Sequence, residues 1–274
     1  MARRTDTSED RPAAAGRAAL AGDLRALGVR PGSTVLVHAS LRSLGPVVGG
    51  AAAVAGALGD VLGPEGTIVV PTGTAENSDT SRAYLERTKG MSSAERERFH
   101  RSMPAFDRSS TPSTGMGVLS EHIRTSPGAW RSGHPQTSFA ALGANAAYIT
   151  AGHAADCHLG ERSPLAKLYE AEADILLIGV GYERCTALHL AEYRYLPAPP
   201  TRTYRCVVER GGRPVWWEYE DVALDDGDFA ALGRALDRTC PVVKGRVGRA
   251  GSRRVPLKAA VEFACAWLAD ARGC

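Results

Sequence analysis

The chain has 274 residues, enough for one large domain or two closely packed lobes, and its 44% hydrophobic and 23% charged residues are those of a water-soluble globular protein. A formal net charge of +3 is too mild to demand nucleic acid, and no window approaches the roughly twenty apolar residues of a membrane span. The N-terminal MARRTDTSEDRPAAAG lacks the apolar region of a signal peptide, and six cysteines without a paired CxxC spacing read as reduced thiols, so a cytoplasmic protein is expected.

Residues 1–12 read as a flexible leader, and residues 13–274 as a single domain. Leu20, Leu24 and Leu27 share one face of a helix expected from about Ala13 to Leu27, which Gly28 ends. PGSTVLVHASL follows as a turn and a buried strand, Thr34 to His38, with His38 and Ser40 at its polar end. Gly49 and Gly50 introduce an alanine-rich helix over about Ala51–Leu62, and TIVVPT is a second apolar strand ending at Pro71, Thr72 and Thr74. Strand, helix and strand in this order make a βαβ unit, so the expected class is α/β, with a central mixed or parallel sheet flanked by helices. Ligands gather at the carboxyl ends of such strands, where both of these carry hydroxyl side chains.

Residues 75–113 are polar, crowded with charge and without a long apolar run, which reads as a lid-like insertion. A helix is expected over Met116–Arg124, then HPQTSFAALG, an apolar strand over residues 173–181 and a helix in CTALHLAEYR. TRTYRCVVE and RPVWWEYE form a hairpin, and a helix near Pro256–Ala271 closes the chain. The basic run Lys244, Arg246, Arg249, Arg253, Arg254 and Lys258 contains no acid; it is either a solvated face or a contact for a phosphorylated ligand or partner.

Chemistry concentrates in CTALHLAEYR. His189 and Glu192 are three apart and share a helix face, so the carboxylate can fix the imidazole tautomer and stabilise the imidazolium. That is either a general base or a structural pair. Cys185, four residues before His189, is either a thiolate nucleophile with its base or a small buried thiol. His153, Asp156, Cys157, His158 and Glu161 have the residue types for zinc, but their spacing matches no metal-ligand pattern, and a polar loop is the expected reading. His134, held extended by Pro135, either anchors a loop or touches ligand. Backbone amides around Ser40, Leu41 and Arg42 suit a phosphate, with Arg42 adding charge. There is no P-loop, GxGxxG or GxSxG, which argues against nucleotide hydrolysis, hydride transfer and an α/β-hydrolase.

Six ordered blocks, VLVHASLRSLGPVVGGAAAV, GTIVVPTGTAENSD, MPAFDRSSTPSTGMGVLSE, HPQTSFAALG, GERSPLAKLYE and LLIGVGYERCTALHLAEYR, together resemble the aminoglycoside 3-N-acetyltransferase family, whose fold is distinct from that of the common GNAT acetyltransferases. The resemblance covers roughly residues 15–270. It implies direct acetyl transfer from acetyl-CoA to an amine of an aminoglycoside or related small molecule, with His189 as base and Glu192 as its partner. It implies a CoA site with His38, Ser40, Leu41, Arg42, Ser43, Thr72, Thr74, Thr111, Met116 and Gly117. It also implies an acceptor pocket drawing on Asn77, Asp79, Phe106, Asp107 and Glu161, and no metal; a homodimer is left open. Where NTSLH is expected, this chain has CTALH, so Cys185 and Ala187 replace polar side chains beside the base. Its basic balance is also unlike the negative field that would favour a polycation.

Overall fold

The computed structural model describes residues 14–273; the leader expected over residues 1–12 lies outside the described residues. Helix α1 (Arg17–Ala26) leads into β1 (Thr34–Ala39), a single turn α2 (Leu41–Leu44), α3 (Gly50–Leu62) and β2 (Thr67–Pro71). The polar stretch holds α4 (Arg82–Thr88) and α5 (Ser93–Ser102). Next come α6 (Val118–Thr125), β3 (Trp130–Arg131), β4 (Phe139–Gly143), α7 (Ala146–Thr150), α8 (Pro164–Glu170) and β5 (Asp174–Ile178). Two 3-10 turns, Tyr182–Arg184 and Thr186–Leu188, precede the short α9 (His189–Glu192). The chain continues through β6 (Thr201–Arg210), β7 (Arg213–Val222), α10 (Phe229–Thr239), β8 (Val243–Val247), β9 (Ala250–Pro256) and α11 (Leu257–Arg272).

Seven strands form one mixed sheet in the order β3-β4-β2-β1-β5-β9-β8, parallel at its β2-β1-β5 centre and antiparallel outside it. The central strands are apolar on both faces because helices cover both. Side chains alternate, so Val35 and Val37 of β1 join one core with α1 and α3, whereas Leu36 joins the other with α8, α10 and α11. By the same alternation His38 points to the Leu36 face. β1 sits between β2 and β5, whose crossovers leave it on opposite sides; this switch point opens the crevice that α/β sheets use for ligands. Gly179, just past β5, has φ +68°, and a Cβ there would come within 2.4 Å of the Ser43 side chain. Only glycine lets α2 approach the sheet edge so closely.

The insertion is clasped to the molecule rather than free of it. Asn77 Nδ2 donates to the Val207 carbonyl at 2.8 Å and its Oδ1 accepts the Val207 amide at 2.7 Å, tying the segment to the β6–β7 hairpin. Gly211 and Gly212, both at positive φ, make the two-residue turn that this hairpin requires. Two expectations are corrected. CTALHLAEYR is not one helix but a 3-10 turn, Thr186–Leu188, followed by four α-helical residues, His189–Glu192, and the Cys185 backbone ahead of them lies outside the helical region at ψ 89°. The basic run is neither a bare solvated face nor a free anion site throughout. It runs through β8, the turn after it and β9 into the start of α11, and its acids arrive from elsewhere: Lys244 and Arg253 pair with Asp237, and Arg254 pairs with Asp174.

Candidate active site

The carboxyl ends of β1, β2 and β5 converge where Ser40, Pro71 and Gly179 leave the sheet. The Ser40 amide donates to the Ile178 carbonyl at 2.9 Å, and the Ser43 hydroxyl lies 2.9 Å from Ser40 Oγ and 3.1 Å from the Gly179 carbonyl. From β5 the chain passes through both 3-10 turns into α9, so one turn of helix carries His189 and Glu192 to this edge.

His189 Nδ1 lies 2.6 Å from Glu192 Oε2. Glu192 is 1% exposed, and its other oxygen accepts the Asp225 amide at 2.9 Å and Arg272 Nη1 at 2.6 Å. Arg272 also grips Asp228, with Nε 2.7 Å from Oδ2. A buried carboxylate is costly unless paired and hydrogen-bonded, and here three donors reach its two oxygens. The His189 ring packs on Phe229 at 4.8 Å between centroids. With Nδ1 committed to Glu192, Nε2 is the nitrogen free to meet a substrate.

His189 lines two adjoining cavities. One, of about 430 Å³, is bounded by His38, Ser40, Met116, Gly117, Cys185 and Asp226; the other, of about 330 Å³, by Ser78, Gln136, Ser138, His158, Arg202 and Tyr204. Thr186 and His189 line both. A group entering from each side would therefore meet at the imidazole. The smaller cavity has hydroxyl and amide walls, an arginine and no carboxylate.

Burial, reinforced by the nearby His189, lowers His38 from an ordinary 6.5 to about 4, so it is neutral at pH 7. Cys185 is 1% exposed and burial pushes its thiol up to about 12, which leaves it protonated and a poor nucleophile.

Of the residues expected to bind CoA, the structure brings His38, Ser40, Met116 and Gly117 to the larger cavity. Leu41, Arg42 and Ser43 form the adjoining turn α2. Thr72 is buried against Ser138 at 3.1 Å, while Thr74 and Thr111 lie with Asn77 around a third cavity of about 240 Å³ under α5, away from His189.

The expected acceptor residues are not gathered at the imidazole. Asn77 is the hairpin clasp. Phe106 packs under Arg131 at 5.0 Å. Asp107 Oδ1 accepts from the amides and hydroxyls of Ser109 and Ser110, which hold its carboxyl well below the usual range. Glu161 is paired with Arg194 at 2.6 Å, and Asp79 with Arg205 at 3.4 Å. Asp79, Asp107 and Glu161 thus each have a partner within the protein, although Asp79 Oδ1 has none, and none of the three lines the two cavities at His189.

The residues suggestive of zinc also diverge. His158 Nδ1 lies 2.8 Å from Asp221, His153 Nδ1 lies 2.9 Å from Ser132, and Asp156 pairs with Arg162 at 2.8 Å. Among the described residues no three such side chains converge. His134 anchors its loop: Nδ1 accepts the Gln136 and Thr137 amides, both at 3.1 Å. Sequence reasoning missed Arg272, Thr186 and Arg202. Arg272 lies 80 residues from Glu192 and only the fold joins them, whereas Thr186 stood three before His189 and was legible by the same spacing.

A family model described as aminoglycoside 3-N-acetyltransferase matches residues 36–269, most of the chain and all of this site except Arg272. The chain belongs to the aminoglycoside 3-N-acetyltransferase family. It is similar to the aminoglycoside N(3')-acetyltransferase-like protein YokD of Bacillus subtilis, at 40% identity over 90% of this chain and 89% of that protein. The YokD crystal structure superposes with a TM-score of 0.89 over 96% of this chain and 97% of that one. Aminoglycoside N(3)-acetyltransferase VII of Streptomyces paromomycinus is 36% identical over 94% of this chain and 92% of that protein. Two further family structures carry ligands. AAC-VIa bound to sisomicin has a TM-score of 0.82 at 31% identity, covering 96% of this chain and 100% of its own. AAC-IIIb binary with CoASH has a TM-score of 0.81 at 31% identity, covering 94% and 98%. The α/β fold expected from the βαβ unit is thus that of the family.

Proposed function

We propose that the protein is an acetyl-CoA-dependent aminoglycoside N-acetyltransferase in which His189 is the general base. The observation that carries the reading is the position of His189 at the junction of two cavities, with Nδ1 held by a buried carboxylate. The larger cavity, with Ser40, Met116 and Gly117, takes the thioester arm of acetyl-CoA, and the smaller takes the acceptor. Relatives captured with CoASH and with sisomicin support these two classes of substrate.

His189 Nε2 accepts the proton of the acceptor nitrogen as that nitrogen attacks the thioester carbonyl. Glu192 stabilises the imidazolium, worth part of the 10²–10⁴-fold that general-base catalysis typically contributes, about 3–5 kcal/mol. The C–S bond then breaks, and the imidazolium returns its proton to sulfur, releasing the CoA thiol. Cys185 takes no covalent part, since burial keeps its thiol protonated. We further infer a cytoplasmic setting, which five free cysteines among the described residues favour.

One observation favours a second reading of the acceptor. The smaller cavity has Arg202 and no carboxylate, a wall suited to an amine with fewer positive charges than a conventional aminoglycoside. Incubation with acetyl-CoA and a panel of amines that includes sisomicin, following free thiol and product mass, tests both. Thiol release with a singly acetylated sisomicin supports the first reading. Release only with other amines supports the second, and release with none contradicts both.

A further inference from the structure

Among the buried polar side chains of the site that the mechanism above leaves unused, His38 stands beside His189. His38 is 7% exposed, at the carboxyl end of the central strand β1, and lines the cavity of about 430 Å³ beside His189. Its Nε2 has no hydrogen-bond partner among the described residues. An unpaired buried polar group costs about 1–3 kcal/mol, and native proteins keep few of them without a use. The other buried imidazoles differ. His153 and His158 engage both ring nitrogens within the protein, and His134, whose Nε2 is also unpaired, lines neither cavity at His189.

We propose that His38 is a further catalytic residue, donating a hydrogen bond from its ring N–H to the carbonyl oxygen of the acetyl thioester. The proposal rests on the reading of the larger cavity as the thioester site. As the acceptor nitrogen forms its bond to the carbonyl carbon, the π electron pair moves onto oxygen and His189 takes the nitrogen's proton. His38 holds the resulting oxyanion. When the pair returns, the C–S bond breaks, its electrons leave on sulfur, and His189 supplies the proton that completes the CoA thiol. His38 gives up no proton in either step. Burial keeps it neutral, so it is a donor that does not compete with His189 as a base, the arrangement by which a neutral imidazole polarises a carbonyl elsewhere. Its place on the sheet, opposite Leu177 of β5, makes it a donor fixed before the charge develops.

The test compares the wild-type protein with His38→Leu and His38→Gln, measuring thiol release from acetyl-CoA with sisomicin and CoA binding by calorimetry. The expected result is a kcat lower by about 10²–10³-fold in His38→Leu, the usual loss on removing one oxyanion donor, with CoA binding retained. His38→Gln, which restores an N–H of similar reach, recovers at least about tenfold of that loss. A His38→Leu kcat within about threefold of wild type overturns the proposal, as does a His38→Gln variant no faster than His38→Leu. Should His38→Leu fail to bind CoA, His38→Gln is read alone: kcat within about tenfold of wild type supports the role, and a deeper loss with CoA bound overturns it. Failure of the wild-type protein itself to release thiol with any amine contradicts the functional reading, and with it the step His38 would serve.

Discussion

Arg272 Nη1 lies 2.6 Å from the Glu192 oxygen that His189 does not use. The last turn of the terminal helix α11 therefore reaches back to hold the carboxylate that holds the imidazole. Glu192→Gln should keep the shape but lose the charge that favours the imidazolium, lowering kcat by about 10²-fold in the thiol-release assay. Arg272→Ala should act mainly on stability. Removing one partner of a buried, bonded pair leaves the other uncompensated, and urea unfolding should register a loss of about 3 kcal/mol. An Arg272→Ala protein as stable as wild type would show that Glu192 has other sufficient partners.

Arg202 is the cation on the wall of the smaller cavity, near the Tyr204 ring at 5.1 Å. Reversing it with Arg202→Glu should lower KM for a polycationic acceptor such as sisomicin by about tenfold, roughly 1.4 kcal/mol, and the gain should shrink as salt is added. An unchanged KM would place the acceptor's charges away from this wall.

Much of the fold was legible because its signals are local. The apolar runs at Thr34–Ala39, Thr67–Pro71 and Asp174–Ile178 are buried parallel strands, and TRTYRCVVE and RPVWWEYE are the two strands of the hairpin. Strands β8 and β9 were missed because Lys244, Arg253 and Arg254 hide them in a basic run; their charges are balanced by Asp237 and Asp174, which only the fold supplies. The His189–Glu192 spacing carried the pairing that the structure shows, with Nδ1 2.6 Å from Oε2. Asp107 and Glu161 are chemically apt for an amine, but they line neither cavity at His189 and engage Ser109, Ser110 and Arg194, a placement that only the fold displays.

Buried neutral histidines should set the acid limb of stability. His38 and His153 fall from an ordinary 6.5 to about 4, chiefly through burial. Between those values the unfolded chain binds more protons than the folded one, so stability is fully present above about pH 6.5 and declines as the pH falls towards 4. Each histidine should contribute up to about 1 kcal/mol per pH unit in that window. Urea unfolding at pH 7, 6 and 5 would record it, and His153→Gln should flatten the slope. A stability that rises on acidification would reverse the sign and refute the assignment.

Cys185 faces the larger cavity, but its protonated thiol should stay unmodified. Mass spectrometry after exposure to acetyl-CoA alone should find no acetyl adduct, and Cys185→Ala should keep kcat within about threefold. A stable adduct missing from Cys185→Ala would point to transfer through sulfur.

Direct transfer with an imidazole base is tested most simply by His189→Ala, with kcat from thiol release and CoA binding from calorimetry on the same preparation. The account predicts a rate lower by about 10²–10⁴-fold with CoA still bound. Turnover at the wild-type rate by a folded, CoA-binding His189→Ala protein would contradict it.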